Sequence, residues 1–341
     1  MTRYILLILL FPSVMIIVSY TVFATFNEDS FDEDVHEIII TYPNNPNEPP
    51  DLKAQKWKEL AEERSEGRLQ ITLFPSEQLG APNEIIEMAM AGNNMITGAG
   101  FDVVADYAAD LGVFDAPYMT EDLDEALYLT ETEWFEEQEE ELAERGVAIA
   151  NPNSPYGARH LMTSEEVKTP EDLQGMRIRV PETAVMIRGF AAMGASPTAT
   201  PLDELYPSLE QGVVDGAENP LPVLEGANVH EAANYLTLTG HNNHLNPWVT
   251  GTEMMDNLPD DLVQILKETG YEAGEYVRDI LEEQEETLIE EFEEEGIIIN
   301  EIDEEAFEEE AKSFYENPPG WSDGLYERID SILEDYRESA G

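Results

Sequence analysis

Basic side chains that could bind an anion are concentrated in one short segment of this chain. Of the 17 lysines and arginines among 341 residues, five fall within thirty positions: Arg159, Lys168, Arg177, Arg179 and Arg188. An arginine can hold a carboxylate through two parallel, charge-assisted hydrogen bonds, which a lysine cannot match. We therefore expect an anionic ligand at this segment. Pairing with surface glutamates explains any single one of these residues about equally well, so composition alone leaves both interpretations open.

The sequence lacks the motifs of the common catalytic sites. It contains no Cys, which excludes disulfides, thiolate nucleophiles and cysteine-ligated metals. It also has no G-x-S-x-G, H-E-x-x-H, P-loop or G-x-G-x-x-G pattern. His241 and His244 with a nearby carboxylate could form part of a metal site, but a turn or core role is favoured because no third ligand is apparent. We predict no metal, no cofactor and no enzymatic activity.

Acidic residues dominate the composition. The 74 Asp and Glu residues give a formal net charge of −57. Since 42% of the residues are hydrophobic, which is ordinary for a globular protein, this excess does not indicate disorder. Self-repulsion of so large a charge weakens the folded state unless salt screens it. We infer a halophilic source, and we exclude nucleic acid and anionic membrane surfaces as partners.

The N-terminal residues 1–26 are predicted to be a signal peptide or an N-terminal anchor. Arg3 precedes the largely apolar run Tyr4–Phe26, and Val22-Phe23-Ala24 fits the small-residue rule for cleavage after Ala24. A run of about 20 apolar residues could also remain uncleaved and span a bilayer. In either case the chain that follows an acidic linker at residues 27–36 is expected to be periplasmic or extracellular.

Short β-like runs alternate with helical patterns from Ile38 onward, which favours an α/β architecture with largely parallel sheets. The predicted strands are Ile38–Tyr42, Arg68–Phe74, Met95–Gly100, Val147–Asn151, Arg177–Val180 and Tyr235–Thr239. The predicted helices between them are Asp51–Glu66, Ala81–Ala91, Asp122–Arg145, Thr183–Met193 and Asp203–Gln211. Near the end, Asp260–Glu295 has the pattern of one helix of about 54 Å. That length would cross two domains unless Gly270 or Gly274 bends the helix.

The cation-bearing segment also has a local pattern that places one arginine at a strand end. Thr169 is a predicted N-cap with Pro170 in the first turn, and the short helix that follows ends at Gly175. Alternation along the strand Arg177–Val180 puts Arg177 and Arg179 on the same face. Arg179 then lies at the C-terminal end of its strand, where open α/β sheets expose ligand sites.

Short motifs occur in a fixed order along most of the chain. They are F-P-S-x-Q-L-G at Phe74–Gly80, V-F-D-x-P-Y at Val113–Tyr118, R-x-x-x-T at Arg159–Thr163, T-P-E-D-L-x-G-x-x-I-R-V-P at Thr169–Pro181, G-A-S-P-T at Gly194–Thr198, E-L-Y at Glu204–Tyr206, Q-G-V-V-D-G-x-E-N-P at Gln211–Pro220 and T-G-H at Thr239–His241. In this order they resemble the solute receptors of TRAP transporters, the DctP-type periplasmic binding proteins. The resemblance covers residues 38 to 337.

The resemblance implies which residues bind the solute. In the family, the Arg of the I-R-V-P motif, here Arg179, makes a bidentate bond to a substrate carboxylate. The Arg that opens the preceding strand, here Arg159, and the Asn of the E-N-P motif, here Asn219, complete the anion clamp. Phe101 and Trp248 are aromatic candidates for lining the rest of the pocket. Tyr206 of the E-L-Y motif is a further ligand-binding candidate.

Three positions depart from the relatives that bind sialic acid. Those relatives have Glu, Phe and Asn where this chain has Gly100, Leu202 and Pro49. Sialic acid is therefore not the expected ligand. A different small organic acid is expected in the same clamp.

The resemblance also implies a two-domain fold like that of periplasmic binding proteins, with mostly parallel sheets flanked by helices and a long C-terminal helix spanning both domains. We assign residues 37–155 and 247–281 to domain I and residues 156–246 and 282–341 to domain II, with the ligand in the cleft between them. The chain is then expected to be a monomer that passes a small organic acid to the small and large membrane subunits of a TRAP transporter. The alternatives are a receptor of another transporter or sensor system, and a secreted hydrolase.

Overall fold

The computed structural model describes residues 34–300 and 302–340. Its strands are β1 (His36–Thr41), β2 (Leu69–Phe74), β3 (Met95–Gly98), β4 (Val147–Asn151), β5 (Pro155–Thr163), β6 (Arg177–Val180), β7 (Ser196–Ala199), β8 (Gly216–Asn219), β9 (Tyr235–Leu245), β10 (Trp248–Gly251) and β11 (Ile298–Asn300). Its helices are α1 (Pro49–Arg64), α2 (Pro82–Met90), α3 (Phe101–Val104), α4 (Leu123–Leu129), α5 (Glu133–Glu144), α6 (Ala184–Ala192), α7 (Leu205–Glu210), α8 (Leu221–Gly226), α9 (Thr252–Asn257), α10 (Asp260–Glu295), α11 (Glu304–Tyr315) and α12 (Leu325–Ala340). Short 3-10 helices lie at Ala109–Asp115, Pro170–Leu173, Leu202–Glu204 and Val229–Glu231.

The predicted signal peptide or anchor, residues 1–26, lies outside the described residues, as does most of the predicted linker at 27–36. Among the helices of the described part, none is long and apolar enough to cross a membrane. Whether the N-terminal segment is cleaved or retained stays a prediction.

The first sheet has the strand order β2-β1-β3-β10-β4. Strands β1 and β3 run parallel, with Ile39 opposite Met95, whereas β10 runs antiparallel to both β3 and β4. Ile40 and Ile96 of this sheet are fully buried and pack in one cluster with Trp57 of α1. We call the part of the molecule built on this sheet the first lobe.

The second sheet has the order β11-β9-β5-β8-β6-β7, and we call the part built on it the second lobe. Strand β6 is parallel to β7 and β8, and β11 is parallel to β9, but β5 is antiparallel to both of its neighbours. The α/β architecture is thus confirmed, while the sheets are mixed rather than mostly parallel. The reason is that β5 and β10 enter their sheets directly from the other lobe, through residues 152–154 and 246–247, without the crossover helix that parallel pairing requires.

The long helix α10 has the predicted bounds and is continuous through both glycines. Its N-terminal half packs on α1, where Trp57 Nε1 donates to the carbonyl of Leu266 at 2.9 Å. Near its other end, Phe292 is buried in the apolar cluster of the second lobe. A Cβ on Gly270 would lie 2.9 Å from the Trp57 ring, so Gly270 permits close packing rather than bending the helix.

The single helix predicted over Asp122–Arg145 is two helices, α4 and α5. Two threonines between them explain the break. Thr130 Oγ1 donates to the carbonyl of Leu127 at 2.7 Å at the end of α4, and Thr132 is the N-cap of α5 and accepts from the Phe135 amide. Such local side-chain bonds compete with a continuous helix.

The last helix, α12, packs on the first lobe. Its residues Ile329 and Leu333 are buried in one cluster with Phe114 and Trp134. The sequence-based assignment put residues 282–341 in domain II, so the packing of α12 differs from it. A helix near a chain terminus belongs to the lobe whose apolar surface it covers, and the sequence does not show which surface that is. The domain boundaries themselves stay a prediction.

Candidate functional site

A cavity of about 190 Å³ is lined by residues of both lobes. From the first lobe, Gly100 and Asp102 line it just after the end of β3. From the second lobe, Arg179 of β6, Thr200 after β7 and Asn219 at the end of β8 line it. The C-terminal ends of strands are where open α/β sheets bind ligands. A pocket below the usual range of about 300–1,000 Å³ for drug-sized ligands suits a small solute.

Arg179 is a buried cation without an acidic partner among the described residues. Its side chain is only 3% exposed, and its Nε and Nη2 donate to the carbonyl of Thr200 at 2.9 and 2.6 Å. Burial lowers the pKa of Arg179 to about 10, with the neighbouring charge of Arg159 acting in the same direction and that of Glu218 opposing it. Burying a charge without an opposite charge beside it costs free energy of folding. A buried guanidinium of this kind can accept a carboxylate ligand through charge-assisted hydrogen bonds.

Arg159 also lines the cavity, but its charge is already compensated. Its Nε and Nη2 donate to the two carboxylate oxygens of Glu218 at 2.6 and 2.7 Å, and both side chains are buried. Burial alone would lower the pKa of Arg159, but the charge and hydrogen bonds of Glu218 outweigh it and raise the pKa. Burial would likewise raise the pKa of Glu218, yet Arg159 and His241 bring it down to about 2. The pair therefore stays ionised.

Several buried amides along the cavity have an unsatisfied polar atom within the described part of the chain. They are Asn44 Oδ1, Asn219 Oδ1 and Asn246 Nδ2, to which the hydroxyl of Thr200 can be added. Buried polar groups are hydrogen-bonded in almost all native structures, so each such group needs a partner. Their convergence on one cavity indicates a ligand that carries both donors and acceptors.

The other three cations of the segment lie at the surface. Arg177 forms a bidentate pair with Asp215, Lys168 pairs with Glu166 at 2.8 Å, and Arg188 donates to the carbonyl of Asn317 at 3.1 Å. None of these cations is among the described residues that line the cavity. Arg177 and Arg179 are alternate residues of one strand, but only Arg179 is near its C-terminal end and is covered by the chain after β7.

The three aromatic candidates are not among the described residues that line the cavity, and their role in ligand binding stays a prediction. Phe101 is fully buried and stacks on Phe114 with 4.0 Å between ring centroids. Trp248 is fully buried in the core of the first lobe, 5.7 Å from the Trp57 ring. Tyr206 donates to Glu231 at 3.0 Å on the surface. The rings of Phe101 and Trp248 serve packing, because large apolar side chains are stabilised most where water is excluded.

Residues 41–318 match the model of the bacterial extracellular solute-binding proteins, family 7, known as DctP. The chain belongs to this family. A solute-binding protein of Roseobacter denitrificans is 30% identical over 269 residues, which covers 76% of this chain and 80% of the relative. The match to the family model therefore includes the second sheet, every strand of the first sheet except most of β1, and all the described residues that line the cavity.

Two solved TRAP periplasmic solute-binding proteins have the same fold. The one from Ochrobacterium anthropi, with bound L-fuconate, is 39% identical, has a TM-score of 0.84 and covers 87% of this chain and 99% of its own. The one from Actinobacillus succinogenes, with bound L-galactonate, is 34% identical, has a TM-score of 0.85 and covers 88% and 100%. The predicted family, the two-domain binding-protein fold and the role as a TRAP solute-binding protein are confirmed. The extracellular character of the DctP family agrees with the predicted location.

Three polar residues that line the cavity in this DctP protein, Asp102, His244 and Asn246, were not predicted as ligand-binding residues from the sequence, where His244 was considered only as a metal ligand. Burial, with Asp115 adding to it, raises the pKa of Asp102 to about 6, while His244 and Arg159 oppose the rise. A signal was present at the end of β9 and just after it, where the run His241–Asn246 contains five polar residues, all of them buried. Polar residues buried in a run are unusual and point to a site.

His241 and His244 are not brought together as metal ligands. His241 Nε2 lies 3.4 Å from Glu218, and His244 Nδ1 pairs with Asp115 at 2.5 Å. Burial lowers the pKa of His241, which Glu218 partly offsets. Among the described residues there is no group of three or more His, Asp or Glu side chains arranged to hold a metal ion.

Proposed function

We propose that this protein captures a six-carbon sugar acid with a single carboxylate and delivers it to the membrane subunits of a TRAP transporter. The observation that carries the proposal is the buried guanidinium of Arg179, which lines the cavity without an acidic partner among the described residues. A ligand carboxylate would complete this charge with two parallel hydrogen bonds. Burial makes such a bond stronger, since the surrounding medium screens it poorly.

The polyhydroxylated part of the ligand is supported by the unsatisfied amides of Asn44, Asn219 and Asn246. Hydroxyl groups can both donate and accept, so one sugar-acid chain could satisfy amide oxygens and amide nitrogens together. L-Fuconate and L-galactonate, the ligands of the two solved relatives, have one carboxylate and several hydroxyls each. They are the first candidates for this chain.

The proposed roles of the clamp residues differ. Arg179 is the anchor for the carboxylate, and Asn219, at the end of the neighbouring strand β8, lines the same cavity. Arg159 acts mainly through position, because Glu218 holds two of its nitrogens, and its Nη1 has no hydrogen-bond partner among the described residues. Closure of the two lobes over the bound anion would follow from contacts that the anion makes with both.

The wider biology is also a proposal. We infer export by residues 1–26, as a cleaved signal peptide or a retained anchor, and a monomer that meets a small and a large membrane subunit. We also infer that the protein has no catalytic activity. The net charge of −57 supports a halophilic source, because a folded chain so charged benefits from strong screening.

The test is a ligand titration of the purified protein in molar salt, followed by thermal unfolding and by calorimetry. L-Fuconate and L-galactonate should raise the unfolding temperature, because a ligand that binds only the folded state stabilises it by RT ln(1 + [L]/Kd). The neutral sugars L-fucose and L-galactose are matched controls without the carboxylate, and they should have no effect. The proposal would be contradicted if a neutral sugar stabilised the protein as much as its acid does. It would also be contradicted if neither acid stabilised the protein.

A further inference from the structure

Asp102 places a carboxylate on the side of the cavity formed by the first lobe. It follows β3 and is 5% exposed. Its Oδ2 accepts from the hydroxyl of Thr183, the N-cap of α6 in the second lobe, at 3.0 Å. Its Oδ1 has no hydrogen-bond partner within residues 34–300 and 302–340. One oxygen therefore fixes the orientation of the carboxylate, and the other is left for a ligand.

His244 lies beside Asp102 over the backbone of Gly100. A Cβ built on Gly100 would come 2.9 Å from His244 Cε1 and 3.0 Å from His244 Nε2, and closer still to Asp102 Oδ1. Asp115 holds both groups in place, since its Oδ2 accepts from the Asp102 amide at 2.7 Å and its Oδ1 pairs with His244 Nδ1. When Asp115 accepts a hydrogen bond from His244 Nδ1, the other ring nitrogen, Nε2, is the one available to a ligand.

The absence of a side chain at Gly100 makes room for this pair. Gly100 has φ −56°, which any residue can adopt, so the glycine is not required by the backbone. What it provides is space, because Asp102 Oδ1 and His244 occupy the volume that a Cβ would fill. The polar groups around Gly100 thus come from Asp102 of the first lobe and from His244 of β9, a strand of the second sheet.

The charges around the cavity are unequal on its two sides. The second lobe supplies the buried Arg179, the buried Arg159–Glu218 pair and, at the exposed edge, Glu182, so among its buried groups one positive charge is uncompensated. Acidic residues around the cavity include Asp102, Asp106 and Glu77 of the first lobe. A ligand with one carboxylate matches this distribution, whereas a second carboxylate would face like charges. Like charges placed together across a binding surface cost several kcal/mol.

We propose that Asp102 and His244 form a specificity subsite that accepts hydroxyl groups of the solute and excludes solutes with a second carboxylate. The subsite rests on the proposed function, because Arg179 must hold the first carboxylate. A sugar acid enters with its carboxylate toward the second lobe and its hydroxyls toward the first. A hydroxyl donates to Asp102 Oδ1, and His244 Nε2 takes part in the same network.

Two solutes that differ only at the far end of the chain test the subsite. L-Galactonate ends in a hydroxymethyl group, and galactarate has the same carbon chain and hydroxyl configuration but ends in a second carboxylate. Calorimetry at one molar salt concentration and neutral pH gives Kd for both. The wild-type protein should bind L-galactonate about a hundredfold or more tighter than galactarate. In Asp102→Asn this ratio should fall by about tenfold or more, because the like charge is gone while the shape remains.

Asp106→Asn is the matched control, since it removes the same charge from an exposed residue at the edge of the same cavity. Solvent and salt screen that position, so the ratio should change by less than about threefold. Gly100→Ala is a second test of the subsite, because the added Cβ displaces Asp102 and His244 without changing any charge. It should weaken L-galactonate binding by about tenfold or more, with an unfolding temperature near that of the wild type without ligand.

The outcomes separate the subsite from the proposed function. Three results would overturn the subsite while the sugar-acid function stands. They are an unchanged ratio of the two Kd values in Asp102→Asn, an equal change of that ratio in Asp106→Asn, and a Gly100→Ala variant that binds L-galactonate like the wild type. If the wild-type protein binds neither L-galactonate nor L-fuconate, the proposed function itself fails. Tight binding of galactarate by the wild-type protein overturns the exclusion of a second carboxylate.

Discussion

The Arg159 guanidinium donates to both carboxylate oxygens of Glu218, although the two residues are 59 positions apart. Strands β5 and β8 are neighbours in the second sheet, with Leu161 opposite Glu218, and this pairing brings the two side chains together. Both are almost inaccessible to solvent. Arg159 is consequently neutralised within the protein, and Arg179 carries the free positive charge of the cavity.

The first prediction concerns this buried pair. Replacing Glu218 by Gln should destabilise the fold by about 3–5 kcal/mol, because it leaves the buried Arg159 without its counter-charge. Replacing Asp215 by Asn breaks the exposed pair with Arg177 and should cost about 0–1 kcal/mol. Denaturant unfolding of both variants in the same high salt measures the difference. Equal effects would contradict the assignment of a buried, essential pair.

The second prediction concerns the anchor. Arg179→Lys keeps the charge but loses the planar fork, and we expect it to weaken binding of the cognate acid by about 2–5 kcal/mol. Arg188→Gln removes a surface arginine that donates to the carbonyl of Asn317 and does not line the cavity of the described part, so affinity should be close to that of the wild type. Calorimetry in high salt compares the two. If Arg179→Lys bound the acid with wild-type affinity and Arg188→Gln bound it weakly, the assignment of the carboxylate clamp to Arg179 would be wrong.

The third prediction is that folding depends on salt. The unfolding temperature should rise from low to molar NaCl, and similarly in KCl, because screening weakens repulsion among the acids. A variant that changes four exposed glutamates of α10 to Gln, at Glu286, Glu290, Glu293 and Glu294, should depend less on salt. An unfolding temperature that stays flat across this range, or a variant with the wild-type slope, would argue against repulsion as the cause.

The fourth prediction concerns pH and Glu48. Burial raises the pKa of Glu48 to about 7 from an ordinary 4.5, with Glu225 adding to it and hydrogen bonds from Asn44 and Asn45 opposing it. Between about pH 4.5 and about pH 7, Glu48 holds a proton in the folded state that it has lost in the unfolded state. The free energy of unfolding therefore falls as pH rises through this interval. Relative to Glu48→Gln, the wild-type protein should therefore lose up to about 3 kcal/mol over that interval and no more above it.

Denaturant unfolding at several pH values, without ligand, measures this difference. Glu63→Gln is the control, because it removes the same charge from an exposed position on α1. A pH-dependent difference of the same size for Glu63→Gln, or none for Glu48→Gln, would contradict the assignment to Glu48.

The sequence by itself determined the features that depend on local pattern. The period of apolar residues gave the bounds of α10, and strand alternation followed by Pro181 put Arg179 near the C-terminal end of β6. The ordered motifs indicate the DctP family, which the match over residues 41–318 confirms. Such features are recoverable because helices and strands repeat every 3.6 and 2 residues, which a reader can see in one sequence.

The tertiary structure alone decided which polar side chains face each other. Arg159 and Arg179 are similar in the sequence, but only Arg159 has a carboxylate opposite it on β8. Asp102 reaches Thr183 across 81 positions, and Phe101, its neighbour, turns into the core instead. These outcomes depend on strand order and on the packing of two lobes, and no local period encodes them. Charge compensation in the cavity is a property of contacts between distant segments, and that is why the sequence alone could not show that Arg159 is paired and Arg179 is not.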